Sequence, residues 1–298
     1  LQIPSPLEEL HLPFFKEKDV TVYIKRDDLI HPIISGNKWR KLTQTLDYCL
    51  TQNKIGIVTF GGAHSNHLVA TAYLGFQNKL KTVGIVRGKK PFELSPTLKH
   101  CEKWGMHLHF VSRAAYKDEK PLQEELQKEY ENYHWVPEGG ADEMGIKGCV
   151  DIVTEIKQDF DFIIVDCGTA ATLAGISRTL LPHQIAVGIS VLKGEDTLTQ
   201  SVINFNKNEK SNGNFELKTD YHFGGYAHYS AELVAFMQWF YLQTGIKTDP
   251  IYTGKQFYGV LDMIKKDYFP KGSTIVMVHT GGLQGIEGYE KRYEIKIF

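Results

Sequence analysis

A lysine does chemistry only when its amine is kept from the charged, solvated state that most surface lysines adopt. Lys38 lies in the stretch HPIISGNKWRKL (31–42), after Gly36-Asn37 and ahead of Trp39, Arg40, Lys41 and Leu42, which read as the opening of a helix. A helix N-terminus repels a cation, so an amine placed there is either an awkward surface charge or a nucleophile. Three further segments bear on the choice, because each is an apolar run that ends in a loop of small residues: TFGGAHSNH (59–67), DCGTAATLAG (166–175) and VHTGGLQG (278–285). In an open parallel sheet such loops converge on the crevice where ligands bind. In the middle loop, Thr169, Ala170, Ala171 and Thr172 offer backbone N–H groups and two hydroxyls at the start of a helix, which suits a phosphate. Close helix–strand packing is the alternative use of small residues there. Neither GxxxxGK[ST] nor a GxGxxG after a strand occurs, so a nucleotide P-loop and a dinucleotide fold are both disfavoured, and a lone phosphate on a small cofactor remains. His64 and His67 have no third ligand at useful spacing, so no metal is expected.

The elements that must position these residues are short apolar runs at 21–26, 55–60, 82–88, 107–112, 160–168, 185–192 and 273–282, most of them separated by segments of helical length. Continuous apolar strands alternating with helices indicate an α/β chain with a parallel sheet covered on both faces. The strand order is not readable from periodicity. The segment YHWVPEGGADEMGIKGCV (133–150) is rich in glycine and turn residues and reads as a chain passage between domains, and NFNKNEKSNGNFELKTD (204–220) reads as a polar surface excursion. The 298 residues suit one or two intimately packed domains. With 34 basic against 35 acidic residues and no dense basic tract, neither a nucleic-acid nor a membrane partner is expected, and a small molecule is. Cys49, Cys101, Cys149 and Cys167 are scattered without a CxxC pair, and no export signal or long apolar segment is visible, so a cytoplasmic protein is expected.

Four segments together resemble one family: IKRDDLIHPIISGNKWRKL (24–42), TFGGAHSNH (59–67), DPIYTGK (249–255) and HTGG (279–282). They are similar, in order and spacing, to the pyridoxal-phosphate enzymes grouped as 1-aminocyclopropane-1-carboxylate (ACC) deaminase and D-cysteine desulfhydrase. The resemblance spans nearly the whole chain. It implies pyridoxal 5'-phosphate as cofactor and a two-domain tryptophan synthase β-like fold (fold type II), each domain an open, mostly parallel sheet with helices on both faces. Residues 1–42 and 151–298 would form the larger, cofactor-binding domain and 43–150 the smaller, with the active site between them. Relatives are commonly homodimers.

On this resemblance Lys38 would hold the cofactor's aldehyde covalently and then serve as the base at the substrate α-carbon. Asn66 matches the residue that hydrogen-bonds the cofactor's phenolic oxygen, with helix capping as its alternative role. Ser65 matches the serine near the substrate carboxylate, and His67 stands where relatives commonly have glutamine. Tyr252 matches the tyrosine packed against the cofactor and able to reach the substrate, and Tyr226 in FGGYAHYS matches a second active-site tyrosine. Thr253 stands where ACC deaminases carry a glutamate facing the pyridine nitrogen, and Thr280 where they carry an apolar residue near the substrate. A hydroxyl in place of a carboxylate would leave the ring a weaker electron sink, adequate for β-elimination but less so for opening an unactivated cyclopropane. Both departures point to a lyase acting on a small amino acid, D-cysteine first, with ACC deaminase or another D-amino-acid lyase as the alternative and a non-enzymatic cofactor carrier the least favoured.

Overall fold

The computed structural model describes residues 1–194, 197–208 and 214–298. Among them, ten strands form two sheets. In chain order they are β1 (Leu7–Leu10), β2 (Thr21–Lys25), β3 (Gly56–Gly61), β4 (Lys81–Arg87), β5 (His107–Val111), β6 (Tyr133–Val136), β7 (Phe162–Cys167), β8 (Ile185–Ser190), β9 (Phe215–Lys218) and β10 (Thr274–Val278). The larger sheet runs β1-β2-β10-β7-β8-β9 and the smaller β5-β4-β3-β6. Every pairing is parallel except that of β1 with β2. Two open, mostly parallel sheets in an α/β chain are the expected architecture.

The central strands are mostly apolar because both of their faces are covered. Phe162 and Ile164 of β7, with Ile275 and Met277 of β10, enter one core. The alternate residues Ile163, Val165 and Cys167, with Val276 and Val278, enter a second core on the opposite face. The smaller sheet has the same design: Val58, Phe60, Val83 and Ile85 pack to one side, and Ile57 packs to the other.

Two segments differ from expectation. The passage read across 133–150 contains β6 and most of the helix Glu143–Thr154, so the irregular part is confined to 137–142. The excursion read across 204–220 contains β9, paired in parallel with β8; its part at 209–213 lies outside the described residues. All four cysteines are buried thiols. Among the described residues no helix is long and apolar enough to cross a membrane.

The helix carrying Lys38, Asn37–Thr51, is fixed by two devices. It lies against Glu143–Thr154 where a β-carbon at Gly148 would come within 1.8 Å of the Arg40 carbonyl oxygen, so only glycine permits the contact. Arg40 also sits at the centre of a buried ionic network. Its guanidinium donates to Asp27 (2.9 and 3.1 Å) and to Glu155 (2.5 and 2.7 Å), and Lys25 donates to Glu155 (2.6 Å) and to the Ser5 carbonyl (2.8 Å). Burial works against ionisation of Glu155, but the Arg40 and Lys25 hydrogen bonds outweigh it and hold the carboxyl at about 2. A depressed carboxyl stabilises the fold fully above its unfolded value of 4.5 and loses that contribution as pH falls toward 2. Urea unfolding from pH 5 to pH 2 is therefore expected to show a steeper acid decline for the wild type than for Glu155→Gln; parallel declines would contradict the ion-pair assignment.

Candidate active site

The three small-residue loops meet. A cavity of about 320 Å³ is lined by Gly62, Ser65, Asn66 and His67 after β3, by Asp166, Gly168, Thr169, Ala170 and Thr172 at the end of β7, and by Lys38 and Lys41 of one helix. Tyr226 and Tyr252 close it, and Thr280, Gly281 and Gly282 after β10 line an adjoining pocket that shares Lys38, Asn66, Asp166 and Tyr252. Both sheets therefore contribute walls.

The backbone around Lys38 is held to the loop after β10. Gly36 has φ 64°, and a β-carbon there would meet the Thr280 carbonyl oxygen at 1.8 Å. That carbonyl accepts from the Asn37 N–H at 3.3 Å. Glycine is thus required twice over, for its positive φ and for the close approach. Lys38 Nζ donates to Asn37 Oδ1 (3.1 Å), and Asn37 Nδ2 donates to Thr172 Oγ1 (3.0 Å), which links the amine to the small-residue loop. Removal from water, together with the nearby Lys41 ammonium, lowers Lys38 to about 7 despite the opposing pull of Asp166. At neutral pH a large share of the amine is therefore uncharged and nucleophilic. Reductive methylation of the cofactor-free protein, followed by peptide mapping, is expected to show Lys38 reacting with a midpoint near pH 7, whereas a rate still rising beyond pH 9 would contradict the assignment.

Lys41, one turn on, is buried, and its Nζ donates to the Gly139 carbonyl at 2.9 Å. Beside it Ala170 holds a left-handed conformation (φ 64°) at the start of the helix Ala171–Ser177, the kind of local strain that collects at ligand sites. A buried ammonium, the Thr169 and Thr172 hydroxyls and the adjoining loop make a cradle for one phosphate. Ala171 is buried in that helix and does not line the cavity.

Ser65 caps the helix Asn66–Asn78 by accepting from the Leu68 N–H at 3.3 Å, so the capping role belongs to Ser65 and leaves Asn66 available. Asn66 Oδ1 is buried at the cavity with no hydrogen-bond partner. His67 Nε2 lies 3.0 Å from Thr59 Oγ1, whose single proton goes to the Val136 carbonyl. His67 must then donate from Nε2, leaving Nδ1 as a bare acceptor. Burial and the nearby Lys38 and Lys41 charges lower His67 well below the usual histidine range, so the ring is neutral.

Tyr226 and Tyr252 pack edge to face, with centroids 6.0 Å apart. Burial and the Tyr226 hydroxyl raise Tyr252 well above the usual tyrosine range, so it remains a proton donor. Lys255 ties the Tyr226 loop in place by donating to the Gly225 carbonyl (2.7 Å) and the Val191 carbonyl (3.1 Å).

The two threonines separate. Thr253 does not line the cavity: it is fully buried, its hydroxyl donates to Asp249 Oδ1 (2.9 Å), and it accepts from the Asp249 N–H (2.8 Å). This role commits the hydroxyl proton to Asp249 and sets the side chain behind the lining, whereas the resemblance implies a place beside the cofactor ring. Thr280 does line the site, and its hydroxyl donates to the Asp166 carboxylate. Asn37, Lys41 and Asp166 were missed in the sequence, although Asp166 opens the DCGTAATLAG loop and could have been singled out there.

A lysine amine held near neutrality beside a cradle for a single phosphate suits enzymes that anchor a phosphorylated aldehyde. The chain belongs to such a class, the family described as pyridoxal-phosphate dependent enzyme, whose model matches residues 1–281. Within it the chain is ACC deaminase-like. It is 32% identical to a Pyrococcus horikoshii protein provisionally assigned as an ACC deaminase, over 92% of this chain and 88% of that one. It is 30% identical to the bifunctional D-cysteine desulfhydrase/ACC deaminase of Arabidopsis thaliana, described as mitochondrial, over 97% of this chain and 78% of that one. The crystal structure of an ACC deaminase homologue superposes with a TM-score of 0.81 at 31% identity, covering 97% and 92% of the two chains. Threonine deaminase isoform 2 of Solanum lycopersicum shares the fold (TM-score 0.70, 17% identity, 94% and 79% covered).

The residues present fit pyridoxal phosphate. Lys38 offers the amine, Lys41 with Thr169 and Thr172 the phosphate partners, and Asn66 an unsatisfied buried amide for a polar ring substituent.

Proposed function

We propose that the protein is a pyridoxal-phosphate-dependent lyase of small amino acids, with D-cysteine as the leading substrate and pyruvate, ammonia and hydrogen sulfide as products. The observation that carries this reading is the Lys38 amine, held at about 7 in a cavity that also contains an anion cradle. When bound, the cofactor supplies an aldehyde and a ring that withdraws electrons from the substrate α-carbon. Lys38 Nζ takes the α-proton, a transfer that its lowered pKa makes accessible at neutral pH. Ser65 and the first N–H groups of the helix Asn66–Asn78 hold the substrate carboxylate, where the helix N-terminus favours an anion. Tyr252, protonated at neutral pH, donates to the departing hydrosulfide, and Tyr226 orients it. One water then completes the hydrolysis of released aminoacrylate to pyruvate and ammonia.

Thr280, a polar residue where ACC deaminases carry an apolar one, supports D-cysteine, as does the bifunctional relative. A second reading, ACC deamination to 2-oxobutyrate and ammonia, is favoured by the description given to the Pyrococcus relative. Purified protein incubated separately with D-cysteine, L-cysteine and ACC decides between them. Sulfide and pyruvate from D-cysteine are expected, and rapid 2-oxobutyrate from ACC without sulfide from D-cysteine would reverse the ranking.

A further inference from the structure

We propose that Asp166 and Thr280 act as a pair that keeps the cofactor's ring nitrogen protonated, so that the carboxylate missing at position 253 is supplied instead from the end of β7. This rests on the cofactor reading above and adds a role for Asp166 that neither the motifs nor the relatives' descriptions assign.

Among the described residues the carboxyl groups lining the cavity are Asp166 and Glu138. Glu138 belongs to the passage after β6, whereas Asp166 is buried beside Lys38 and Thr280, in the pocket that also includes Asn66 and Tyr252. Lys38, Asn66 and the Lys41–Thr169–Thr172 cradle already answer the aldehyde, the phenolic oxygen and the phosphate. The ring nitrogen is then the polar group of the cofactor still without a partner, and Asp166 and Thr280 are hydrogen-bonded to each other at the pocket lining.

The direction of their hydrogen bond makes the assignment specific. Thr280 has one hydroxyl proton, and it is directed at the Asp166 carboxylate. Toward a ligand Thr280 therefore presents lone pairs only. An unprotonated ring nitrogen would need a donor and would find none, while a protonated one would donate to Thr280 and meet the Asp166 charge immediately behind it. Thr253 makes the same kind of bond to Asp249, but it is fully buried and lines neither pocket, so only the Thr280–Asp166 pair faces the site.

The groups that act most on Asp166 are Thr280 from the loop after β10, Asp249 from the turn before Tyr252, and Lys38 from its helix, with Lys41, Cys167 and Tyr252 also facing it. Burial raises Asp166 to about 6, and Asp249 adds to the rise, while Thr280 and Lys38 oppose it. A ring cation would stabilise the carboxylate further. When Lys38 binds an aldehyde its ammonium is lost to Asp166, which leaves Lys41 as the cation acting on that carboxylate, and a protonated ring would add a second. Thr280 touches the ring, and Asp166 is a positioning residue that acts through it. With this pair in place the site keeps a strong electron sink, and Thr253 ceases to be an argument against a substrate that lacks an α-hydrogen.

The test is ¹⁵N NMR of holoenzyme reconstituted with ring-¹⁵N pyridoxal phosphate. Borohydride fixation at Lys38 in the same samples reports separately whether the cofactor reading itself holds. The wild type is expected to resonate at the pyridinium position and both Asp166→Asn and Thr280→Val to move to the neutral-pyridine position, with Thr280→Ser restoring the wild-type signal. A neutral ring in the wild type, or a pyridinium signal retained in Asp166→Asn, would overturn the proposal. If Asp166→Asn fails to fold, the Thr280 variants decide, since a pyridinium signal that survives Thr280→Val overturns the pair as well.

Discussion

Lys38→Ala is expected to abolish turnover, by about 10⁴-fold or more, because it removes both the covalent anchor and the base that moves the α-proton. The loss should come without unfolding. The hydrogen bond of its amine is to the adjacent Asn37 side chain, so truncation leaves only that amide oxygen without its donor. Circular dichroism and the melting temperature should therefore stay close to wild type while activity disappears. Added methylamine should restore a small part of the rate by supplying the missing amine. Retention of more than about a tenth of wild-type turnover would exceed what a positioned base is worth and would remove Lys38 from the chemistry.

Arg40→Met, two residues away, is expected to do the opposite and act through stability. The guanidinium makes four hydrogen bonds to Asp27 and Glu155, and Asp27 is fully buried. Glu155 would keep Lys25, but Asp27 would retain only the Ser5 hydroxyl as a side-chain donor. Leaving a buried carboxylate unpaired costs about 3–5 kcal/mol, which corresponds to a melting temperature lower by roughly 10 °C in a chain of this size. Because the network fixes the first turns of the helix that carries Lys38, activity should fall with stability rather than ahead of it. An unchanged melting temperature would show that the network contributes nothing net. The double variant Asp27→Leu with Arg40→Met should recover part of the loss, since the isolated charge is then removed.

The limits of the sequence follow from where each residue sits. The runs behind β3, β4, β7, β8 and β10 were readable because these strands are covered on both faces and so are mostly apolar. Those behind β2 and the half-exposed edge strand β5 were readable from their β-branched and aromatic residues. The strands missed, β1, β6 and β9, are four-residue edge strands, half exposed along most of their length. With one side paired and the other open, nothing demands a continuous apolar run, and YHWV and FELK read as turn or surface. The meeting of the three small-residue loops was legible because a parallel sheet gathers its carboxyl ends. Lys41 was not, because its burial comes from the tertiary wall around it and its sequence is that of any helical cation. Thr253 shows the opposite failure. Its motif marks it as a ring partner, yet its hydroxyl proton goes to Asp249 four residues earlier and the side chain lines neither pocket, which only the folded turn reveals.

The same contrast bears on substrate choice. The polarity at position 253 was the chief chemical ground for a weak electron sink, and that position lies behind the cavity wall. Asp166 puts a carboxylate back into the site from the end of β7. The ranking of D-cysteine over ACC then rests on Thr280 and on the bifunctional relative, and the ring-nitrogen experiment and the substrate panel become independent measurements of the same site.

The most direct test of the central claim is to treat the holoenzyme with borohydride, digest it and map the modified peptide by mass spectrometry. A pyridoxyl adduct on Lys38 is expected, with Lys41 and Lys255 unmodified. An adduct confined to another lysine, or none in protein saturated with cofactor, would contradict the assignment of Lys38 as the anchor of the site.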